Sequence, residues 1–163
     1  NIIVDDLTFT EMGDVSLDYE INKAIATNQT VKEAEDSVNL NKYSLDSFVD
    51  GSTVSSNRTQ TENSYAQSTR TLEDTKTSLK AEMTSLYENI REAERTYRDN
   101  EASLANMEEQ LKVKETQYSL GKITELELDA YKLSIDTLKN TMETAVYSHD
   151  IMVRQFQNSN LIM

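Results

Sequence analysis

Cysteine and proline are absent from this chain of 163 residues, and glycine occurs only three times. Without cysteine the chain has neither disulfides nor thiolate metal sites. Average usage, about 5% of residues, would give roughly eight prolines. Because proline and glycine interrupt helices, their scarcity indicates long, uninterrupted helices. The hydrophobic fraction of 37% is low for a compact globule and is typical of a thin bundle with a narrow apolar stripe.

Positive charge is also scarce, since 16 Lys and Arg residues stand against 29 Asp and Glu residues, a net charge of −13. Phosphate binding needs clustered Lys and Arg, so this balance argues against nucleic acid as a partner and against anionic membranes. No apolar run approaches the ~18 residues that cross a bilayer, and no signal peptide is visible, so no direct membrane span is expected. The first residue is Asn1 rather than a methionine, which indicates a processed or shortened chain.

The dominant pattern is a heptad repeat of apolar residues that stops near Gly121 and restarts seven residues later. A seven-residue repeat keeps one apolar seam facing a partner helix, as in a left-handed supercoil. We therefore predict an all-α fold, in which a long antiparallel helical hairpin or coiled coil reverses at Gly121 and an additional N-terminal helix packs alongside. The predicted seam contains Met83, Ile90, Tyr97, Leu104, Leu111 and Tyr118, a second set at Leu72, Leu79, Leu86, Ala93 and Met107, and, after the turn, Leu128, Tyr131, Ile135, Leu138, Met142, Ala145, His149, Met152 and Phe156.

Local signals set the expected boundaries of the helices. Ser16 has the character of an N-cap for the first helix. Thr59 and Glu62 have the spacing of a capping box, which would start the second helix after a polar linker over residues 51–58. We expect an extended or loosely attached arm over residues 1–15, one helical domain over 16–157 with helices at about 17–49, 60–119 and 125–157, and a tail over 158–163.

The turn at Gly121 carries the clearest local chemistry. Glycine suits the left-handed C′ position that closes a helix. Thr124 then has the position of an N-cap, with Glu127 three residues later as in a capping box. Ile123 and Leu128 have the spacing of a hydrophobic staple. These three signals agree on one reversal of the chain.

His149, the single histidine, falls on an inward heptad position. A tight turn would place it opposite Ala93, and a register one heptad longer would place it opposite Asn100. A catalytic role would need a nucleophile or a second ligand nearby, and none is apparent. We therefore expect a structural histidine in the seam, no enzymatic activity, and no catalytic, cofactor-binding or metal-binding residues.

Polar residues along the helices favour structural interpretations as well. Asn100, Lys76 and Lys114 fall on the predicted seam of the second helix, where a polar residue commonly fixes the register. The alternative for these three is a water-lined channel surface. Paired carboxylates such as Glu92 and Glu94 lack the spacing of a calcium loop. We interpret such pairs as solvated helix faces.

Large apolar residues also lie off the seam and cluster around Gly121. A hairpin of two helices would leave them in contact with water, so either the first helix covers them or they form an apolar tip that docks on another protein. The first helix is too short to cover both arms of the hairpin. We therefore give contact with a neighbouring subunit or partner the same weight as cover by the first helix. The cluster consists of Val113, Leu120, Ile123, Leu126 and Leu133.

The segment YSLGKITELELDAYKL surrounds the turn. An aromatic residue precedes the glycine that ends one helix, and a threonine opens the next, followed by an acidic and an aliphatic residue. With Gly121, Thr124, Glu127 and Leu128 in these places, the segment resembles the helix–turn–helix of the TolC-type outer-membrane efflux proteins. Residues 16–28, SLDYEINKAIATN, resemble the start of the repeat in that family.

The resemblance implies one repeat of a helical export tunnel in the cell envelope, exported and assembled by helix packing into a homo-oligomer. Such turns meet a membrane-fusion adaptor protein, and Lys122 departs from the aliphatic residue usual there. Family members carry two repeats and a pair of membrane strands after the first helix. This chain shows one repeat and has only residues 51–58 at that place, as in a relative without those strands or a fragment. The resemblance assigns the partner-binding tip to Leu120, Gly121, Lys122, Ile123, Thr124 and Leu126.

A second interpretation is a generic coiled-coil interaction module, such as an adaptor hairpin or a cell-surface stalk without a conduit. The two differ in the outer faces of the helices. A closed tunnel requires lateral contacts between helices around a ring, whereas a stalk needs only the internal seam. An enzyme is a distant third interpretation, because a thin bundle does not easily provide a pocket. None of these requires a cofactor.

Overall fold

A computed structural model of the chain describes residues 8–47 and 55–162, and it places side chains for residues 8–47 and 58–162. Within those ranges the fold is all-α and contains no strand, which confirms the predicted fold class. The elements are α1 (Leu17–Thr27), α2 (Gln29–Asp46), α3 (Ser55–Ser119), α4 (Glu125–Gln157) and a short 3-10 turn, Ser159–Leu161. The chain forms two compact units, which we call the hairpin unit (Asn1–Gly13 and Glu88–Val153) and the junction unit (Asp14–Tyr87 and Arg154–Met163).

Helix α3 is 65 residues long and contains neither proline nor glycine. It begins at Ser55, ahead of the predicted start near residue 60, because nothing in its polar first turns interrupts a helix. Thr59 therefore lies inside the helix and is not its N-cap. Glu62 accepts a hydrogen bond from Arg58 Nε at 3.2 Å, a pair one turn apart. Across residues 8–47 and 55–162, we find no helix with the length and apolarity that crossing a membrane demands.

In the hairpin unit, α3 and α4 run antiparallel on either side of Gly121. Tyr131 donates a hydrogen bond to Gln110 at 3.0 Å, and Lys139 pairs with Glu108 at 2.9 Å. Further from the turn, His149 lies beside Glu94, the residue after Ala93. The hairpin therefore has the shorter of the two predicted registers.

The predicted apolar seam forms the core of the hairpin unit. Val146 joins it although the heptad did not include it, because it follows a seam residue and faces the same interior. Tyr118 was expected in the seam but is largely exposed. It lies in the last turn of α3, where the hairpin ends and no further layer covers it. The buried apolar residues of this unit are Ile90, Leu128, Ile135, Met142 and Val146.

In the junction unit, α1 and α2 meet at a single extended residue, Asn28, so the first helix predicted at about 17–49 is two helices. Its side chain accepts from Val31 N at 3.2 Å and donates to the carbonyl of Ser159 at 3.0 Å. Asn160 in turn accepts from Gln29 N at 2.8 Å. The predicted polar tail therefore folds into a docked 3-10 turn, since a buried asparagine needs partners for its amide.

The junction unit packs α2 alongside the first part of α3, as predicted for an N-terminal helix. Lys76 Nζ lies 2.7 Å from Glu35 Oε1, so this seam lysine is partnered by α2. The rings of Tyr87 and Phe156 lie 5.8 Å apart. Ser16 caps α1 as expected, accepting from Tyr19 N at 3.4 Å. The buried apolar residues are Ile21, Ala24, Val31, Leu79, Met83 and Phe156.

Candidate interaction surface at the Gly121 turn

The reversal between α3 and α4 is closed by a Schellman motif. Gly121 has φ +70°, its N–H donates to the carbonyl of Tyr118 at 2.8 Å, and the N–H of Lys122 donates to the carbonyl of Gln117 at 2.8 Å. These two bonds satisfy carbonyls that the helix end would otherwise leave unpaired. No heavy atom lies within 4 Å of the position a Cβ would take. Glycine is therefore required here for its backbone conformation and not for space.

The start of α4 is fixed by a reciprocal capping box. Thr124 Oγ1 accepts from Glu127 N at 3.2 Å, and Thr124 N donates to Glu127 Oε2 at 2.8 Å. The Thr124 hydroxyl also donates to Glu127 Oε2 at 2.9 Å. The bonds from the Thr124 N–H and hydroxyl to the carboxylate lower the pKa of Glu127, so the carboxylate is ionised at the positive end of the helix. Both helix ends next to the turn are thus held by specific hydrogen bonds, which gives the turn one defined conformation.

Large apolar side chains remain exposed around this defined turn. Leu126 is 79% exposed and Leu120 is 64% exposed, and Val113 and Leu133 are similarly open. On each arm the two residues are seven positions apart, so they lie on one stripe of the helix. This stripe is separate from the seam, whose residue Leu128 is buried.

We call this region the tip surface; it consists of Val113, Leu120, Leu126 and Leu133 together with residues 121–124. Of the turn residues, Ile123 is half-buried, and Gly121, Lys122 and Thr124 are exposed. The first turn of α4 adds the acidic residues Glu125 and Glu127. An apolar centre with a charged rim is the usual anatomy of a surface that binds another protein.

A second site in the hairpin unit centres on Glu94, which is 0% exposed. Its Oε1 accepts from Met12 N at 2.7 Å and lies 3.4 Å from His149 Nε2, and its Oε2 lies 2.9 Å from Arg91 Nη1. The interpretation of Glu94 as a solvated carboxylate is therefore wrong. Glu92 does lie on an exposed face, where it pairs with Arg95.

The ionisation of Glu94 follows from these partners. Burial by itself would raise the pKa of the carboxyl group, because it removes water from the charged form. The bonds from Met12 N–H, Arg91 and His149 outweigh that effect and lower the pKa below its ordinary value. Glu94 is thus a buried, ionised acceptor at neutral pH, and a buried charge is stable only with partners of this kind.

The segment before α1 is anchored at this same place. The ring of Phe9 stacks on Tyr97 with centroids 3.8 Å apart and packs against His149 at 4.7 Å. Glu11 pairs with Arg98 at 2.8 Å. Of the two expectations for residues 8–13, extended or loosely attached, the second is wrong, because these residues form a bound arm. Residues 1–7 of the predicted arm lie outside the described residues.

We call the groups that hold the arm the arm site. It contains the stacking ring of Tyr97, the acceptor Glu94, and the donor Arg91, whose Nη2 bonds the carbonyl of Gly13. His149 is only 3% exposed and its ring packs against that of Phe9, an environment typical of a histidine with a structural role. Sequence reasoning missed the arm site, although Glu94 lies four residues after a seam isoleucine and so on a face that can turn inward.

Among the described side chains, no group of three or more His, Asp or Glu residues is placed to hold a metal ion. No family model matches the chain, and comparison with curated proteins and with solved structures gives no match. The hairpin unit thus has two surfaces that bear on function, the tip surface and the arm site.

Proposed function

We propose that the chain is a non-enzymatic helical component that docks on a partner protein through the tip surface. The observation that carries this proposal is the combination of open leucines, Leu120 and Leu126, with a turn that hydrogen bonds fix on both sides. Exposed leucines cost solvation free energy unless they are covered in a complex. A preorganised turn also loses little conformational freedom on binding, which favours affinity.

The spacing of the exposed residues supports lateral packing with further helices. Val113 on α3 and Leu120 directly after its end form one short apolar stripe outside the internal seam, and Leu126 and Leu133 on α4 form another. A helix that contacts two neighbours needs such a second stripe, because each seam can face only one partner. We propose a homo-oligomer in which these stripes meet.

Together with the residues of the turn, these features fit one repeat of a TolC-like export tunnel. In this form the proposal places the protein in the cell envelope, with a membrane-fusion-type adaptor as the partner of the turn. The open position of Lys122 gives that docking surface a cationic point that aliphatic turns lack. A partner with an apolar patch and a nearby carboxylate would match it.

The packing of His149 supports the non-enzymatic part of the proposal. A general acid or base must reach its substrate within hydrogen-bonding distance. His149 is almost completely buried, lies against Phe9, and directs Nε2 toward Glu94. Its ring is thus covered by Phe9 and partnered by Glu94, and its environment serves the arm site.

Light scattering over a wide range of protein concentration tests the assembly. We expect a discrete trimer or hexamer, and we expect the double variant Leu126→Glu/Leu133→Glu to dissociate it, because two carboxylates would enter an apolar contact. The matched control is Leu40→Glu/Tyr43→Glu on α2, where both side chains are also largely exposed. This control should keep the assembly, and circular dichroism should show equal helicity for all three proteins.

A generic coiled-coil interaction module is the second candidate, and the same measurement separates the two. A monomer at every concentration would refute the ring and favour a hairpin that needs only its internal seam. Equal dissociation by the tip variant and the α2 control would contradict the assignment of the contact to the tip surface.

A further inference from the structure

The arm site holds its segment as a receptor holds a peptide. Phe9 fills an aromatic slot between Tyr97 and His149, with centroid distances of 3.8 and 4.7 Å. Three residues later, the backbone N–H of Met12 meets the buried carboxylate of Glu94 at 2.7 Å. Recognition thus combines one aromatic side chain with backbone groups at a fixed distance from it. Neither requires that the segment belong to the same chain.

The charged groups of the site fix the orientation in which the segment binds. Glu11 of the arm pairs with Arg98 at 2.8 Å, and the carbonyl of Gly13 accepts from Arg91. The segment therefore offers a negative charge and a carbonyl to two arginines, while its N–H points to a carboxylate. Reversing the segment would break all three contacts, so the site reads an aromatic-x-acidic-x-glycine pattern in one orientation.

The arm is connected to the rest of the chain through one glycine, Gly13. Gly13 is the last arm residue in the hairpin unit, and the chain enters the junction unit at Asp14. Gly13 has φ +73°, and no heavy atom lies within 4 Å of the position a Cβ would take. A single exposed glycine at such a crossing can change its dihedral angles without disturbing packed atoms. Exchange of an element between identical chains is a low-cost route to association under these conditions.

We propose that the arm site of one copy of this protein accepts the arm of a second copy. The occupant is residues 8–13 of another chain, which presents Phe9, Glu11 and the same backbone groups. The copies are then linked through arms rather than through the tip surface, so this inference does not rest on the proposed function. A chain that loses its own arm to a neighbour has an open site for the arm of a third.

Two opposing effects set the extent of exchange. A tethered arm competes at an effective concentration in the millimolar range, which favours the closed single chain in dilute solution. Each copy also carries a net charge of −13, and this repulsion is screened by salt. Linked copies should therefore increase with protein concentration and with ionic strength.

The absence of cysteine allows a direct test by crosslinking. One chain carries Glu11→Cys on its arm, and a second chain with a different mass tag carries Arg98→Cys in its arm site. The two are mixed and treated with a short bis-maleimide, which joins thiols held at the distance of an ion pair. The matched control replaces Arg98→Cys by Arg95→Cys, a neighbouring arginine that is exposed and pairs with Glu92 outside the arm site.

We expect several-fold more mixed dimer from the Glu11→Cys and Arg98→Cys pair than from the control pair, increasing with concentration. Phe9→Ala separates exchange from chance contact because its effect depends on which chain carries it. On the arm donor it should lower the yield, since the aromatic anchor is lost. On the acceptor it should raise the yield, since the resident arm competes less well. Phe9 lies outside every helix, so helicity should be unchanged.

A yield equal to that of the control at all concentrations would overturn the proposal. So would a Phe9→Ala effect of the same sign on both chains, because random collision does not distinguish donor from acceptor. Leu126→Glu/Leu133→Glu should leave the mixed dimer unaffected. A mixed dimer that persists in this variant, together with light scattering of the parent protein that shows no ring at any concentration, would uphold arm exchange and refute the tunnel.

Discussion

Replacing Gly121 by alanine should destabilise the hairpin unit through the backbone alone. An L-residue in the left-handed conformation costs about 1–2 kcal/mol, and alanine recovers about 0.4–1 kcal/mol of that by restricting the unfolded chain. No steric cost is added, because nothing lies within 4 Å of the new Cβ. The net loss is therefore about 1 kcal/mol.

Urea denaturation followed by circular dichroism measures this loss. With a slope of about 2 kcal/mol per molar urea, the midpoint should fall by about 0.5 M for Gly121→Ala. Gly121→Asn should lose less, because asparagine tolerates the left-handed region better than alanine. Lys122→Ala is the control, since the Schellman bond uses the backbone N–H of Lys122, and its midpoint should stay close to that of the parent protein.

An unchanged midpoint in Gly121→Ala, or equal losses for alanine and asparagine, would contradict the predicted backbone effect. Either result would mean that residue 121 does not adopt a positive φ in solution. An equal loss of stability in Lys122→Ala would mean that side chains of the turn, and not its hydrogen-bonded backbone, account for the effect.

Three further predictions concern the two units. Ile90→Ala should lower the free energy of unfolding by about 2–5 kcal/mol in urea melts, because Ile90 is completely buried in the hairpin unit. The pKa of Glu94 is lowered in the folded protein, so its ionisation stabilises the fold. This stabilisation is fully present above about pH 4.3, the ordinary pKa of glutamate, and is lost as the pH falls through the lower pKa of the folded state. Urea melts between pH 3 and 7 should therefore show a smaller pH dependence in Glu94→Gln than in the parent protein. Asn28→Ala should cost about 1–2 kcal/mol, since it removes the N-cap of α2 and leaves the carbonyl of Ser159 with only the longer bond from Ile162 N at 3.4 Å.

Each of these has a control and a result that would count against it. For Ile90 the control is Ala105→Ser at an exposed alanine on α3, which should change stability little. If Ile90→Ala loses no more stability than this control, Ile90 is not buried in the seam. A pH dependence identical in Glu94→Gln and the parent would mean that Glu94 is solvated. For Asn28, the control is Asn22→Ala on the exposed face of α1, and equal effects would contradict the capping role.

The turn and the seam could be predicted from sequence because their causes are local. Gly121, Thr124 and Glu127 act within one turn of each other, so their spacing alone specifies the Schellman motif and the capping box. The seam follows from a period that every helix of this kind shares. The exposed leucines of the tip surface could be inferred by the same logic, as apolar residues left outside the seam.

The arm site could not be predicted in this way, because its cause is distant in sequence. Glu94 is buried by a segment 82 residues away, through the N–H of Met12. A glutamate on a long charged helix is predicted to be solvated unless the segment that packs over it is known. Its partner here is a backbone N–H, and backbone groups are the same in every sequence, so no sequence pattern indicates this contact. The same holds for the 3-10 turn at Ser159, whose anchor is the amide of Asn28.

The bond between Asn28 and Ser159 spans 131 positions of the chain, whereas Tyr131 and Gln110 in the hairpin are separated by 21. During synthesis at about 5–20 residues per second, Asn28 therefore waits on the order of ten seconds for its partner. The hairpin closes a short loop soon after it leaves the ribosome. Helices α1 and α2 are thus made well before the residue that their junction binds, and a nascent chain displays the unpaired amide of Asn28 until Ser159 has been synthesised.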